Sequence, residues 1–426
     1  MSLKEKLKKI PGLRPAVKAV KHFFSDAGAI SSFLAQGKLP KGEGPIRVGF
    51  VCQYIPVWHK LELVYEMMEK DPRFDPVIIC VPSNIKDSQL VDDDGTNDTW
   101  QYFRENGYTQ ALNAMAADGG WLDLEQLKLD YVFFPRPYNN LMPACYHSRL
   151  VSRYTRICMV LYGMNISVED ADTTLNRDFF RYVHCFFAEN TFSLKTNRSW
   201  SWLLHLLGLQ HSVYFGMPGV ESFYEAETLP RPAWDFSKGG FRALWTPRWT
   251  TDPAMGGSNF FTYYEFLFQF ARDNPEYEFL FRPHPLTLSH FLETGEMTQA
   301  QVDDFLAQCE TIPNISLDKE KGYAATFWGT DVLISDTSGL IPEFFVTGKP
   351  LIFCASNMYL KPVSSTLRML EGCYVVYNKE ELTACLEQLK QGIDPLAPIR
   401  QQIAQEMFGG SKRNPAAEIV AHLAKR

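Results

Sequence analysis

Residues 331–339 read Asp-Val-Leu-Ile-Ser-Asp-Thr-Ser-Gly, and this stretch predicts the architecture of the second half of the chain. Its apolar run predicts a buried strand, and the polar residues that follow predict a loop entering a helix, as in a parallel α/β sheet. Because a helix start carries unpaired N–H groups and the positive end of the helix dipole, we expect Thr337, Ser338 and Gly339 to hold a diphosphate.

Two acidic residues belong to the same stretch. Asp336 opens the loop, and Glu343 lies about one helical turn further on, where it can accept hydrogen bonds from ribose hydroxyls. The alternative is that Asp336 and its neighbours only cap the helix, as Asp, Thr and Ser commonly do.

Upstream, a predicted strand at 278–282 ends in Phe-Arg-Pro-His-Pro (281–285). The two prolines stiffen the turn, so the imidazole of His284 has a restricted direction. A histidine fixed there can hydrogen-bond a phosphate oxygen or donate a proton to a leaving phosphate, and Arg282 can add a bidentate phosphate contact. The alternative is a surface turn without a ligand.

A third predicted strand, 241–245, stops at Thr-Pro-Arg-Trp, which places Arg248 and Trp249 at a strand end. Ligands of open parallel sheets bind at the carboxyl ends of strands, so both residues are candidates for the same site. Trp249 packs either on a nucleotide base or ribose or in the core. Further strands are predicted at 314–317, 331–335, 350–354 and 373–377, with helices at 258–272, 298–309, 320–328 and from about 339.

The first half of the chain has its own strand–helix–strand pattern, with strands at 46–52 and 77–81 around a helix at 60–70. More strands are predicted at 131–134, 156–161, 183–188 and 212–215, and helical patterns at 98–117 and 123–128. The length of 426 residues favours two domains. We expect an N-terminal segment and linker at 1–45, an acceptor domain at 46–238 and a nucleotide-donor domain at 239–426.

Composition excludes several classes of protein. The net charge of −7 argues against general attraction to nucleic acid, and no apolar run approaches the ~20 residues of a membrane helix. The nine cysteines include no Cys-x-x-Cys pair and no histidine at metal-ligand spacing, which indicates reduced core thiols in a cytoplasmic protein. We expect neither a metal nor an organic cofactor.

Residues 1–24 depart from this acidic balance. Apolar residues recur there at helical spacing, and the charged residues besides Glu5 are Lys4, Lys6, Lys8, Lys9, Arg14, Lys18 and Lys21. Such a basic amphipathic segment is typical of peripheral contact with an anionic membrane. The alternative is a helix packed on its own domain.

Residues 281–285, followed by Asp-Val-Leu-Ile-Ser-Asp-Thr-Ser-Gly-Leu-Ile-Pro-Glu-Phe-Phe-Val-Thr-Gly-Lys-Pro-Leu-Ile-Phe (331–353), resemble the CDP-glycerol glycerophosphotransferase family of teichoic-acid polymerases and primases. The resemblance covers about 240–355 well. It implies two facing Rossmann-like α/β domains of glycosyltransferase-B type, a CDP-alcohol donor, and phosphate binding by His284. It places Asp336, Ser338 and Glu343 in the donor site.

The sequence departs from the family pattern in three places: Gly339 replaces a serine, Thr250 replaces an arginine, and one loop of the first domain lacks its histidine. Family polymerases carry a His-Gly-Thr loop whose histidine is a candidate base, and the matching segment here is Leu-Tyr-Gly-Met (161–164). His59, after the first strand, is the candidate replacement, because a neutral imidazole can take a hydroxyl proton. Tyr162 is a weaker base, since its ordinary pKa is near ~10. Arg136, after the third strand, is a candidate for an acceptor phosphate, with a surface loop as the alternative, and Tyr162 is also placed among the acceptor-binding residues.

The sequence therefore predicts a transferase that moves glycerol phosphate, or a related alcohol phosphate, from a CDP-linked donor to a polymer or lipid-linked hydroxyl. It would act in the cytoplasm, with possible attachment to the inner face of the membrane. One alternative is a nucleotide-sugar glycosyltransferase of the same fold. The other is a non-catalytic, nucleotide-binding member of the family.

Overall fold

The computed structural model describes residues 13–36, 44–91, 95–134, 136–320, 322–355, 361–409 and 413–425. The chain divides into two compact units, of which unit 1 takes residues up to 162, 172–215 and 416 onward, and unit 2 takes 163–171 and 216–415. This division puts 216–238 in unit 2 and the residues from 416 in unit 1, whereas the sequence analysis placed a single boundary at 238/239.

Unit 1 is built on a parallel sheet. Its strands are β1 (Ile46–Cys52), β2 (Phe74–Cys80), β3 (Ile85–Lys86), β4 (Gln89–Leu90), β5 (Ala111–Asn113), β6 (Tyr131–Phe134), β7 (Arg156–Val160), β8 (Val183–Phe187) and β9 (His211–Val213). Seven of them pair in the order β5-β2-β1-β6-β7-β8-β9, all parallel, and β3 and β4 form a separate antiparallel hairpin.

An interior strand of this sheet, β1, is apolar along almost its whole length because helices cover both faces of such sheets. Gly49 sits in its middle, where a Cβ atom would lie 2.7 Å from Leu129 Cδ1 and 3.0 Å from Ile79 Cδ1. The absence of a side chain at Gly49 therefore allows Leu129 and Ile79 to pack closely against β1.

The helices assigned to the first part of the chain are α1 (Leu13–Gln36), α2 (Glu62–Glu69), α3 (Asp98–Glu105), α4 (Ser148–Val151), α5 (Val168–Thr174), α6 (Arg177–Phe180), α7 (Thr191–Trp200) and α8 (Trp202–Leu206). Short 3-10 helices span 55–60, 139–141 and 144–146. Asparagine side chains cap α3, α6 and α7 by accepting from backbone N–H groups of the first turn.

Unit 2 has a six-stranded parallel sheet. Its strands are β10 (Phe241–Thr246), β11 (Tyr277–Phe281), β12 (Ile315–Leu317), β13 (Val332–Ser335), β14 (Leu351–Cys354) and β15 (Tyr374–Val376), in the order β12-β11-β10-β13-β14-β15. The chain order reverses between β10 and β13. In doubly wound folds, such a reversal opens a crevice at the carboxyl ends of the two strands.

The helices of unit 2 are α9 (Val220–Glu225), α10 (Phe260–Asp273), α11 (Thr287–Thr294), α12 (Gln299–Thr311), α13 (Ala324–Gly329), α14 (Leu340–Phe344), α15 (Ser364–Leu370), α16 (Lys379–Lys390) and α17 (Ala397–Phe408). Two cores cover the two faces of the sheet, one rich in phenylalanine from α10 and β11, the other including residues of α14, α17 and β13. Many aromatic side chains of unit 2 are thus buried in these two cores.

The last described helix, α18 (Pro415–Leu423), returns to unit 1. Ala416, Ile419, Val420 and Leu423 are buried in the same core as β1 and β2. Unit 1 is therefore assembled from chain segments on both sides of unit 2.

The sequence located most of the longer strands, and two of the helices that it predicted differ from the structure. Residues 98–117 form a helix only to Glu105, and 111–113 form the edge strand β5. Residues 123–128 form turns in place of the expected helix, and Lys128 ends them at φ +49°, a left-handed conformation that no regular helix contains. Single apolar residues of both segments, such as Ala114 and Leu124, are buried, which accounts for the apolar pattern that favoured helices.

The expected basic N-terminal segment lies partly outside the described residues, since 1–12 are not described and the linker is described only from residue 44. From Leu13 the chain is helical. Within the described ranges, no helix has both the length and the apolar character needed to span a bilayer. Eight of the nine cysteines are buried thiols, and Cys145 is exposed.

Candidate functional site

The carboxyl ends of β10 and β13 are joined by Asp336. Its Oδ1 accepts from the backbone N–H of Arg248 (2.7 Å), and its Oδ2 accepts from the backbone N–H of Asn259 (3.0 Å) and the Ser258 hydroxyl (3.2 Å). The residue is 2% exposed. In this geometry the Asp336 carboxylate binds protein groups and positions the loops after β10 and β13. Asp336 would therefore affect a donor through these neighbours and not by direct contact.

Burial raises the pKa of the Asp336 carboxyl to about 6, while the three hydrogen bonds and the Arg248 charge act in the opposite direction. A carboxylate in so enclosed a place loses its hydration, and the protein replaces only part of it. Asp336 therefore changes charge close to neutral pH.

Arg248 crosses from the end of β10 to the loop after β13, where its Nη1 donates to the carbonyl oxygen of Thr337 at 3.0 Å. Gly256, with φ +104°, lies under the guanidinium, and a Cβ there would stand 2.7 Å from Arg248 Nε. Ser338 Oγ accepts from the backbone N–H of Leu340 at 3.2 Å, which leaves its own hydroxyl hydrogen to donate. Thr337 is buried and Gly339 is exposed.

His284 follows β11 in an exposed turn with a defined tautomer. The backbone N–H of Leu286 donates to its Nδ1 at 3.2 Å, so the neutral ring carries its hydrogen on Nε2. Partial desolvation of the ring and the charge of Arg248 lower the pKa of His284. At neutral pH the side chain is thus a neutral hydrogen-bond donor through Nε2. The ring of Trp249 lies 6.4 Å away, centroid to centroid.

Two residues expected to contact the donor have partners within unit 2. Arg282 Nη1 donates to the buried Asp318 Oδ2 at 2.6 Å, and its guanidinium carbon lies 5.2 Å from the centre of the Tyr323 ring. The hydroxyl of Tyr323 in turn donates to Glu343 Oε2 at 2.5 Å. Glu343 is 3% exposed, so its carboxylate is largely closed to a ligand in this structure.

The Thr-Gly-Lys-Pro turn of the family resemblance has a structural role. Gly348 ends the helical run with φ +67°, and Thr347 Oγ1 donates to the Phe344 carbonyl oxygen at 2.7 Å. Lys349 Nζ donates to the carbonyl oxygen of Thr330 at 2.7 Å, just beyond α13. Desolvation of the ammonium lowers the pKa of Lys349 to about 8.

An apolar pocket borders Thr337 and Ser338 within unit 2. Its other walls include Ile166, Ile341, Phe353, Thr366, Met369 and Cys373. The stretch 163–171 joins unit 2 here, because Thr366 Oγ1 donates to the Ile166 carbonyl oxygen at 2.7 Å and Ser167 bridges to Pro362. No local signal in the sequence could have predicted this wall, since its two sides are about two hundred residues apart.

In unit 1, two candidate acceptor residues share a network. Arg136 lies beside Tyr138, with its guanidinium carbon 5.7 Å from the ring centre, and the Tyr138 hydroxyl lies 3.0 Å from that of Tyr162. Tyr54 completes the cluster at 5.0 Å from the guanidinium carbon. Sequence reasoning missed Tyr54 and Tyr138, although both directly follow strand ends in the same way as Arg136.

His59 lies in the 3-10 helix after β1 and is half-buried. Its Nδ1 is 3.0 Å from the carbonyl oxygen of Pro56, a contact that requires hydrogen on Nδ1. In the neutral ring Nε2 is then the unprotonated nitrogen that a general base needs, but this atom is buried from solvent in the structure. Among the described residues no cluster of three or more His, Cys, Asp or Glu side chains could hold a metal ion.

Comparisons with known proteins give structural matches only. No family model matches the sequence, and no curated protein matches it. A UDP-GlcNAc 2-epimerase from Neisseria meningitidis, solved bound to UDP-GlcNAc, is 12% identical with a TM-score of 0.57, covering 90% of this chain and 100% of its own. A UDP-GlcNAc 2-epimerase from Methanocaldococcus jannaschii is 15% identical with a TM-score of 0.56, covering 89% and 100%.

The wall teichoic acid polymerase TagF, in a variant soaked with CDPG, is 13% identical with a TM-score of 0.53 over 98% of both chains. These likenesses show the fold. The prediction of an α/β protein with two Rossmann-like domains of glycosyltransferase-B type is confirmed.

Proposed function

We propose that this chain is a transferase that moves glycerol phosphate, or a related alcohol phosphate, from a CDP-linked donor to a hydroxyl of a polymer or lipid-linked acceptor in cell-envelope polymer synthesis. The observation that carries the proposal is the set of donors at the β10–β13 crevice. Arg248, His284 and Ser338 offer a guanidinium, an imidazole N–H and a hydroxyl. Such a set suits the oxygens of a diphosphate.

The nature of the donor rests on the resemblance of 240–355 to the CDP-glycerol glycerophosphotransferases and is supported by the match to TagF over 98% of both chains. In the proposed reaction, the acceptor oxygen attacks the phosphorus that carries glycerol. The bridging P–O bond breaks and CMP leaves with the bonding electrons. The hydroxyl proton passes to a base, for which we propose His59 after the ring turns outward, because its Nε2 is buried in this structure.

His284 and Arg248 would stabilise the negative charge that develops on the leaving CMP. Neutral at pH 7, His284 stabilises that charge by donating a hydrogen bond from Nε2, and does not need to transfer a proton. Asp336 holds the Arg248 backbone in place. Trp249, Arg282, Thr337, Gly339 and Glu343 are proposed as further parts of the donor site, with Arg282 and Glu343 acting through Tyr323.

A second candidate is an enzyme acting on a nucleotide sugar. It is favoured by the structural likeness to UDP-GlcNAc 2-epimerases, whose TM-scores reach 0.58. Both candidates place the nucleotide in unit 2. They differ in the nucleotide that is released and in the product that is formed. A non-catalytic member would bind a nucleotide without turnover.

The purified protein is to be incubated with CDP-glycerol, CDP-ribitol, UDP-glucose and UDP-GlcNAc, with and without a lipid-linked glycerol phosphate acceptor. We expect acceptor-dependent CMP release from one CDP-alcohol and a new phosphodiester in the product. Release of UDP or epimerisation of UDP-GlcNAc would move the protein to the second candidate. Binding of one of these nucleotides without turnover would assign it to the non-catalytic alternative.

A further inference from the structure

Three neighbouring strands of unit 1 deliver side chains to one edge of the sheet. β1 is followed by Gln53 and Tyr54, β6 by Arg136 and Tyr138, and β7 by Tyr162. Because β1, β6 and β7 are parallel neighbours, their carboxyl ends meet at the same edge. This is where open parallel sheets bind their ligands.

The guanidinium of Arg136 is held in place at this edge. Nη1 donates to Gln53 Oε1 at 3.1 Å, and Gln53 Nε2 donates to the Ser83 carbonyl oxygen at 3.1 Å. Gln53 is 2% exposed, so the amide that orients the arginine is itself rigid. The guanidinium carbon also lies within cation–π distance of the rings of Tyr54 and Tyr138.

Arg136 differs from other enclosed arginines in how its positive charge is compensated. Arg181, Arg282 and Arg400 are each paired with an aspartate. Arg136 is half-buried, and within the described part of the chain no carboxylate lies at ion-pair distance from it. Its oriented partner is a neutral amide, which leaves the positive charge uncompensated and the remaining N–H groups of the fork able to donate.

We propose that Arg136 binds a phosphate group of the acceptor, edge-on and bidentate, with the Tyr138–Tyr162 hydroxyl pair contacting an adjacent polyol hydroxyl. Guanidinium forks match phosphate geometry, and the two tyrosine rings keep the fork from turning. The hydroxyl pair, 3.0 Å apart, supplies neutral donors and acceptors at the same edge. That the phosphate belongs to an acceptor rests on the proposed function, whereas the anion site rests on unit 1 alone.

The probe is sn-glycerol 3-phosphate, titrated calorimetrically into the full chain with and without saturating CMP, which occupies the proposed nucleotide site. Glycerol and glycerate serve as uncharged and carboxylate controls. We expect glycerol 3-phosphate to bind, and Arg136→Gln to weaken it at least about tenfold, as for loss of a charged hydrogen bond. Arg47→Gln is the matched control, because Arg47 lies at the opposite end of β1 and pairs with Asp75 on the surface.

Equal binding by wild type and Arg136→Gln, or no binding by wild type, would overturn the site. Arg136→Lys keeps the charge without the fork and provides a second, milder variant. We expect it to bind at least about threefold more weakly than wild type at an unchanged melting temperature, and unweakened binding would refute the bidentate contact. In turnover, Arg136→Gln should raise the acceptor KM and leave the CDP-glycerol KM unchanged. Absence of CMP release by wild type would refute the proposed function without affecting the titration.

Discussion

The backbone N–H of Arg248 donates to the buried carboxylate of Asp336 at 2.7 Å, across the point where the strand order of unit 2 reverses. Asp336 also receives the N–H of Asn259, so one side chain fixes the segments after β10 and β13 and the start of α10. The charge of this carboxylate therefore affects both the stability of unit 2 and the position of Arg248.

The pKa of Asp336 predicts a stability change with pH. Because burial raises it to about 6 from 3.8, the folded state favours the protonated form. This contribution to the free energy of unfolding is complete below about pH 4 and is lost as the pH rises through 6. A pKa rise of about two units corresponds to a change of roughly 3 kcal/mol in the free energy of unfolding. Urea unfolding of wild type and Asp336→Asn between pH 4.5 and 7.5 measures it, and parallel stability curves would contradict it.

His284→Ala should lower CMP release at least about tenfold, because the leaving phosphate loses a fixed hydrogen-bond donor. The side chain is exposed, so the melting temperature should stay within about 2 °C of wild type. His211→Ala, which removes another exposed imidazole, is the control and should keep full activity. A large drop in melting temperature with His284→Ala would mean that the histidine supports the fold.

Glu343→Gln tests ribose recognition beside Tyr323. Glutamine can still accept from the Tyr323 hydroxyl, so the fold should be retained. Wild type should bind CMP about tenfold more tightly than 2′,3′-dideoxy-CMP, and this ratio should approach one in the variant. Calorimetric titration of both nucleotides gives the ratio. An unchanged ratio would assign Glu343 to structure alone.

The basic N-terminal segment predicts binding to anionic vesicles. Replacing Lys4, Lys6, Lys8 and Lys9 by Gln should weaken binding to phosphatidylserine vesicles at least about tenfold, since each lysine near such a surface contributes on the order of 1 kcal/mol. Co-sedimentation at two salt concentrations measures this. Neutral phosphatidylcholine vesicles are the control, and equal binding of wild type to both lipids would refute the electrostatic contact.

Strand positions were the part of the fold most accessible to sequence reasoning. Buried parallel strands are continuous apolar runs ended by turn residues, and β1 and β6 were predicted to the residue. The strands β3, β4 and β5 were missed: β3 and β4 have only two residues each in a hairpin, and β5 lies within the stretch 98–117 that was expected to be helical.

The candidate site was predicted by location more than by contact. The rule that ligands bind at strand ends selected Arg248, His284 and Thr337. In the structure Arg248 donates to the Thr337 carbonyl oxygen, and its charge acts on His284. The strand-end rule could not reveal that Arg282 pairs with Asp318, because Asp318 is 36 residues away and follows a different strand. Nor could it separate a carboxylate that contacts a ligand from one that is buried, as Asp336 is.

The return of α18 to unit 1 has a consequence for synthesis of the protein on the ribosome. The strands of unit 1 emerge first, yet Ile419, Val420 and Leu423, which complete their core, emerge only after all of unit 2. The unit that is begun first is therefore finished last, and its apolar surface stays uncovered while unit 2 is translated. A chain interrupted just after Pro415 would carry every residue of unit 2 together with an unfinished unit 1.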